Sequence, residues 1–544
     1  MKTLFCILIL SLFSPAGNAQ FIEQWTQSYN GTGNYNDAAT SIIIDEAKNV
    51  YVTGYSYGIG TLNDYALIKY NPNGVQQWVS RYNGPGNDND IINAVAIFNN
   101  DIYVTGQSVG SGTAYDYSTV KYNSSGVQQW AVRYNGPSNS NDGATAIALD
   151  ALGNVYVTGQ CYGGSSTSYD FVTIKYNNAG ILQWDVRYNG PGNGNDGANS
   201  ITVDQYNNVY VTGYSVGTGT NLDYTTIKYN SSGVQQWIVR YNGTANDLDI
   251  GKSIFVSNSG EIYVMGYSRG TGTSLDYVTI KYDTLGTELW VARYNGTANG
   301  SDIPNALIVT NSGDVVVTGV TNTDVSGALA NYATVKYNTA GQLQWIGIYN
   351  GTGNNNDSAT SISTDDSGNV FVTGKSIGSG TSFDFATVKY SPSGIPMYVS
   401  RYNYSAGSKE VANAIKVDNF GNTYVTGSST LSGSNDDFLT VKYSKISGIN
   451  TLSNVMPDRF ELLQNYPNPF NPVTKINYSI MSGGISKLKI YDILGNEVLK
   501  LVNEYQNPGT YSVQWNAENH PSGIYYYSLE NGKFSDTRKM ILIK

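Results

Sequence analysis

Residues 78–129, WVSRYNGPGNDNDIINAVAIFNNDIYVTGQSVGSGTAYDYSTVKYNSSGVQQ, are the clearest copy of a unit that fills most of the chain. A Trp followed four places later by a Tyr opens the unit, and a Lys-Tyr pair near its end closes it. The opening position recurs at Trp25, Trp78, Trp130, Trp184, Trp237, Trp290 and Trp345, and Tyr398 holds the eighth place. Successive gaps are 53, 52, 54, 53, 53, 55 and 53 residues. The Lys-Tyr pair also occurs eight times, at Lys69, Lys121, Lys175, Lys228, Lys281, Lys336, Lys389 and Lys442. Self-similarity at this period signals a solenoid or a ring of repeated sheets.

Strand content separates the two. One unit contains four short runs rich in Val, Ile, Thr, Tyr and Trp: ATSIIID (39–45), NVYVTGYS (49–56), DYALIKY (64–70) and GVQQWVSRYN (74–83). Tight-turn compositions join the first to the second (DALGN, 150–154) and the third to the fourth (NPNG or NSSG). No stretch holds a 3.6-residue period, so helix is not expected. Four antiparallel strands per repeat is the blade of a β-propeller. The array also begins with a fourth strand (FIEQWTQSYNG, 21–31) and ends with a third (FLTVKYS, 438–444). An open stack has no reason for that offset. A ring does, because the first strand completes the last blade and removes two free edges. The fold expected is an all-β, eight-bladed β-propeller over 20–444, closed by its N-terminal strand. The unit ATAIALDALGNVYVTG (144–159) resembles the bacterial beta-propeller repeat family. That resemblance implies a propeller and no particular activity.

Residues 1–19 read as a signal peptide: Lys2, the apolar LFCILILSLF (4–13), then Gly17-Asn18-Ala19 as a cleavage site. Without Cys6 one cysteine, Cys161, is left, so an internal disulfide is excluded. The formal charge of −10, with no basic cluster, argues against nucleic acid as a partner. Residues 445–459 read as a linker. From about Phe460 the vocabulary changes to a Pro-rich start, a hairpin around Leu494-Gly495-Asn496 and alternating strands, the pattern of a small Ig-like β-sandwich over 460–544.

This last segment resembles the type A C-terminal sorting domain of the type IX secretion system of Bacteroidetes-related bacteria. The matching residues are NYPNPFNP (465–472), IYDILGNEV (490–498), Gly509, PSGIYYYSL (521–529) with Gly523 and Tyr525, Gly532, and the closing stretch Lys539 to Lys544. The resemblance implies passage through the periplasm, then export by the type IX machinery to the outer surface or the medium.

The array contains no histidine, since the single one is His520. This excludes His-based triads and His-ligated zinc there. The Gly-rich YNGPGNGN (188–195) and its copies lack a following Lys and read as turns, not phosphate cradles. Acids remain. One opens the first strand of every unit: Asp37, Asp90, Asp142, Asp196, Asp249, Asp302, Asp357 and Glu410. A second opens the third strand: Asp64, Asp116, Asp170, Asp223, Asp276, Asp384 and Asp437, with Asn331 in the odd place. Both sets fall on the longer-loop face. Hard oxygen ligands suit calcium, so the first set is the candidate for an ion or a glycan. The bland alternative is that acids repeated eight times serve the repeat itself. For the second set, pairing Lys69 with Gln76 would bring Asp64 opposite Arg81. The same register joins Asp116 to Arg133, Asp170 to Arg187, Asp223 to Arg240, Asp276 to Arg293 and Asp384 to Arg401. Where Asn331 replaces the acid, Ile348 replaces the base, whereas Asp437 would face Ser28 without a partner. No catalytic residue and no cofactor is expected, calcium aside. The function expected is a non-enzymatic scaffold that binds a glycan, polymer or protein. The alternatives are a carboxylate-based glycan-degrading enzyme or a purely structural surface component.

Overall fold

The computed structural model describes residues 21–324, 329–405, 407–430, 435–445, 450–453, 457–506, 508–518 and 520–544. The signal peptide expected over 1–19 lies outside the described residues, as do 446–449 and 454–456 of the expected linker.

The first repeat forms four antiparallel strands, Asp37–Ile44, Val50–Gly58, Leu62–Tyr70 and Gln76–Tyr82, hydrogen-bonded in sequence order. Six more sheets of four consecutive strands follow, the last ending with Pro396–Tyr402. The eighth sheet is different. Its strands Glu410–Val417, Thr423–Thr430 and Asp436–Lys445 are completed by Phe21–Tyr29, which pairs Trp25 with Lys442 and Tyr29 with Phe438.

The turn motif explains the start of each hairpin. In DALGNVY, Asp150 accepts the Leu152 and Asn154 N–H groups on Oδ1, and the Asn154 amide and the Tyr156 hydroxyl on Oδ2. Gly153 supplies the positive φ, +75°, that the turn requires. The glycine of V-T-G, which reads V-M-G at 264–266, has a different cause. Every first strand carries a β-bulge, at Thr40 in the first unit, that pushes a carbonyl toward the second strand. A Cβ on Gly54 would lie 1.9 Å from the Ala38 oxygen, so only glycine fits.

The bulged residues also tie the sheets together. Thr40 donates to the Ile92 carbonyl, Asn93 to Ala144, Thr145 to Ala198 and Asn199 to Gly251. Lys252 donates to the Asn305 side chain, Asn305 to the Ala359 carbonyl and Thr360 to Ala412. Asn413 of the eighth sheet then donates to Ala39 of the first at 2.8 Å. The belt of eight side chains therefore closes on itself. The core does the same, since Trp25, Tyr424 and Phe438 share one buried cluster with Val50, Val52 and Ile68.

Each Trp reaches into the next sheet. Trp78 Nε1 donates to the Ser124 carbonyl, and its indole lies over Gly126, whose φ is +79° and whose absent Cβ would sit 2.6 Å from the ring. Trp25 does this across the junction, to Pro72 and Gly74. Tyr398 falls before the eighth sheet, where the third strand does not turn back into a fourth.

The C-terminal part is a sandwich of two four-stranded sheets. One orders Asn450–Ser453, Gly509–Asn516, Val473–Ile480 and Glu461–Leu462; the other orders Glu497–Gln506, Gly484–Tyr491, Gly523–Asn531 and Phe534–Leu542. Both contribute to one core around Ile476, Trp515, Leu488 and Tyr527. Asn450–Ser453, within the stretch read as linker, pairs with Gly509–Asn516, so the sandwich starts earlier in the chain than composition indicates.

Candidate functional site

The two sets of acids lie at one end of each sheet, and a third residue joins them. Ser56 of the second strand pairs with Asp37 on one side and Asp64 on the other. The first sheet thus carries a polar row across its four strands, Asp37, Ser56, Asp64 and Arg81, and the row recurs in the others, with Ile348 at its end in the sixth. The serine was legible as a hydroxyl repeated eight residues before the third-strand acid in most units, but its role needs the pairing of three strands.

The first-strand acids hold the loop that precedes them. Asp37 accepts the Gly31 N–H at 2.5 Å and the Tyr57 N–H at 2.8 Å. The Gly contact recurs at Asp90, Asp142, Asp196, Asp249, Asp302 and Asp357, at 2.5 to 2.7 Å. Glu410, one methylene longer, accepts the Ser429 hydroxyl instead. Burial pushes all eight carboxyls above their ordinary range, and Asp90 to about 6, against the pull of the Gly84 N–H and the Ser108 hydroxyl. Among the described residues, no group of three or more His, Cys, Asp or Glu side chains is arranged to hold a metal ion. Seven of the eight candidate calcium ligands each hold a backbone N–H group of the loop before them.

The second set meets its arginines, in a register other than the expected one. Lys69 pairs with Trp78, not with Gln76, and Ala66 stands opposite Arg81. The turn sets Tyr70 opposite Gln76, and a one-residue bulge between Lys69 and Tyr70 brings the offset from the expected register to two places, which leaves the arginine on the same face. Arg81 therefore reaches Asp64 along the diagonal, at 2.8 Å. The diagonal lets the guanidinium also bond Ser56 Oγ at 2.6 Å and the Ser56 carbonyl at 2.7 Å. Arg133 with Asp116, Arg240 with Asp223, Arg293 with Asp276 and Arg401 with Asp384 repeat the ion pair at 2.6 to 2.9 Å. In the third unit Cys161 takes the serine's place, and Arg187 is left with Asp170 alone, at 2.7 Å. Burial and the adjacent Asp142 carboxylate push the Cys161 thiol well up, which keeps it protonated and unreactive.

In the tail, the sorting residues lie at strand ends and along the last strand. Gly509 and Gly523 begin strands, and Gly532, with φ +59°, turns the final hairpin. The Tyr525 hydroxyl donates to the Pro521 carbonyl. The Lys539 carbonyl accepts from Gln464 at 2.8 Å, and the Lys544 N–H donates to Ser522. NYPNPFNP lies along the closing strand, where Phe470 N–H bonds the Ile541 carbonyl and Ile543 N–H bonds the Phe470 carbonyl. This covers an edge that would otherwise offer itself for pairing.

Residues 464–544 match the family described as the secretion system C-terminal sorting domain. The protein is therefore exported through the type IX system, whose machinery engages this domain, to the cell surface or the medium. No helix among the described residues is long and apolar enough to cross a membrane. Among curated proteins, none matches this sequence. Of the solved structures, PorZ, a surface component of the type IX secretion system of Porphyromonas gingivalis, is 14% identical over 92% of this chain and 74% of its own, with a TM-score of 0.33. A fungal alcohol oxidase of the AA5 family is 13% identical over 96% and 100%, at 0.39. The β-propeller domain of the trilobed protease of Pyrococcus furiosus is 7% identical over 64% and 92%, at 0.38. At such TM-scores these likenesses carry no argument about activity.

Proposed function

We propose that the protein is an exported, eight-bladed β-propeller, closed by its N-terminal strand, that acts as a non-enzymatic binding or adhesion scaffold. An Ig-like sandwich at its C-terminus would deliver it, after a signal peptide has taken it through the inner membrane. The observation that carries this reading is the uniform engagement of the acids. Seven of the eight loop-face carboxylates that open a first strand hold a backbone N–H of the preceding Gly, and six of the third-strand acids hold a guanidinium. What a ligand meets on that face is loops of Gly, Asn, Ser and Thr, such as NGPGNGND (189–196), whose amides and hydroxyls suit a glycan or a polar polymer.

The test is a screen of the mature chain on a glycan array, with calcium and with chelator. Saturable binding without turnover is the expected outcome, and binding that needs calcium would place an ion on the loop face. Release of reducing sugar from a bound glycan, lost in Asp437→Asn, would overturn the scaffold in favour of a carboxylate-based enzyme. Absence of any ligand would leave a purely structural surface component.

A further inference from the structure

We propose that the ring-closing sheet carries an accessible receptor for a guanidinium group, formed by Asp437, Ser429 and Tyr402. The template is inside the molecule. In the first, second, fourth, fifth and seventh sheets a guanidinium takes three acceptors at once: the third-strand Asp, and both the hydroxyl and the carbonyl oxygen of the second-strand Ser. In several it also meets a Tyr hydroxyl from the preceding sheet, as Arg401 meets Tyr349 at 2.9 Å and Arg240 meets Tyr188 at 3.1 Å.

The eighth sheet keeps the acceptors and lacks the donor. Ser429 pairs with Asp437 as Ser56 pairs with Asp64. Ser28 pairs with Leu439, two residues beyond Asp437, which is the position Arg81 takes opposite Ala66. Tyr402 ends the fourth strand of the preceding sheet, as Tyr349 does for Arg401. The base is therefore replaced by a residue too short to reach.

The acid, however, has not drifted with it. In the sixth sheet both partners change together, to Asn331 and Ile348, and no charge is stranded. In the eighth, Asp437 stays and is 6% exposed, and among the described residues no hydrogen bond or ion pair reaches it. The Glu410 Oε2 oxygen in the same row is buried without a partner as well. Burial, and then the Asp37 and Asp436 carboxylates, push the Asp437 carboxyl up to about 6. A buried acid without a counter-charge is unfavourable, and one cation in the arginine position would relieve it. Ser28 is exposed, so that position opens to solvent. A planar fork of N–H donors fits acceptors that already hold one in five sister sheets, whereas no set of three ligating side chains for a metal ion is found there among the described residues. The occupant is an arginine side chain of a partner, or any ligand ending in a guanidinium.

The test uses the mature chain and N-acetylarginine amide, titrated calorimetrically at constant ionic strength. Saturable binding is expected, weakened at least tenfold in Asp437→Asn and in Ser28→Arg, which supplies the missing base from within. Asp384→Asn, in the neighbouring sheet, should leave it unchanged. If Ser28→Arg fails to fold, Asp437→Asn alone decides. Equal binding of N-acetyllysine amide, binding that survives either variant, or no binding at all would overturn the proposal. So would calcium binding that depends on Asp437, which would make the site a metal site.

Discussion

The closing sheet and the seven hairpin-built sheets share one strand order, yet their sequences part at a few chosen places. In the seven, the fourth strand is tied covalently to the third through an N-x-x-G type turn. In the eighth it arrives from the other end of the chain. Every departure follows from that single difference. Trp gives way to Tyr398 ahead of the sheet whose fourth strand comes from the N-terminus. Arg gives way to Ser28 on the strand that comes from the N-terminus. The V-T-G glycine persists because it lies against the bulged first strand of its own sheet, and Lys442 and Asn413 persist because they bond the neighbouring sheet; none of them acts across the missing turn. Apart from the arginine, whose acceptors and register remain in the eighth sheet, repeated residues are kept where the local geometry that uses them is kept.

The most severe way to break this comparison is to remove residues 21–29. The third strand Asp436–Lys445 would then present an open edge, and Trp25 would leave the core shared by the first and eighth sheets. We expect loss of a single cooperative melting transition, with self-association seen by light scattering. A monomer with an unchanged melting temperature would refute closure by this strand.

A smaller effect tests the turn. Gly233→Ala forces a left-handed φ of +80° on alanine and drives its Cβ to 2.8 Å from the Trp184 ring. Strain and overpacking should together cost about 2–4 kcal/mol in denaturant unfolding. Tyr398→Trp, in the buried cluster with Phe371 and Tyr443, should bring no gain and cost about 1–3 kcal/mol by overpacking. A large gain from the added indole would mean that the closing sheet hides an equivalent contact.

The smallest effect concerns the polar row. Asp223→Asn strands Arg240, which also bonds the Ser215 hydroxyl and carbonyl, and should destabilise the fold. Adding Arg240→Ile reproduces the natural pair at Asn331 and Ile348, and should recover part of the loss. The double-mutant cycle should give a coupling of about 1–2 kcal/mol, since both partners are largely screened from solvent. Zero coupling would show that the acid and base vary together for some reason other than contact.

The sequence by itself determined the period, the four strands per unit, the all-β class, the offset between first and last strands, and the sorting tail. These are local or periodic properties: turn chemistry, β-branched runs and a long ordered motif are written in consecutive residues. It also showed that Asp and Arg vary together. Tertiary structure alone decided how they meet. The turn and a one-residue bulge together displace the fourth strand by two residues from the register that the sequence suggests, and no composition announces a bulge. The role of Ser56 was out of reach for the same reason, because its partners Asp37, Asp64 and Arg81 come from three other strands. Whether the acids are free or spent likewise depends on N–H groups six and twenty residues away, at Gly31 and Tyr57, which only the folded loop brings to Asp37.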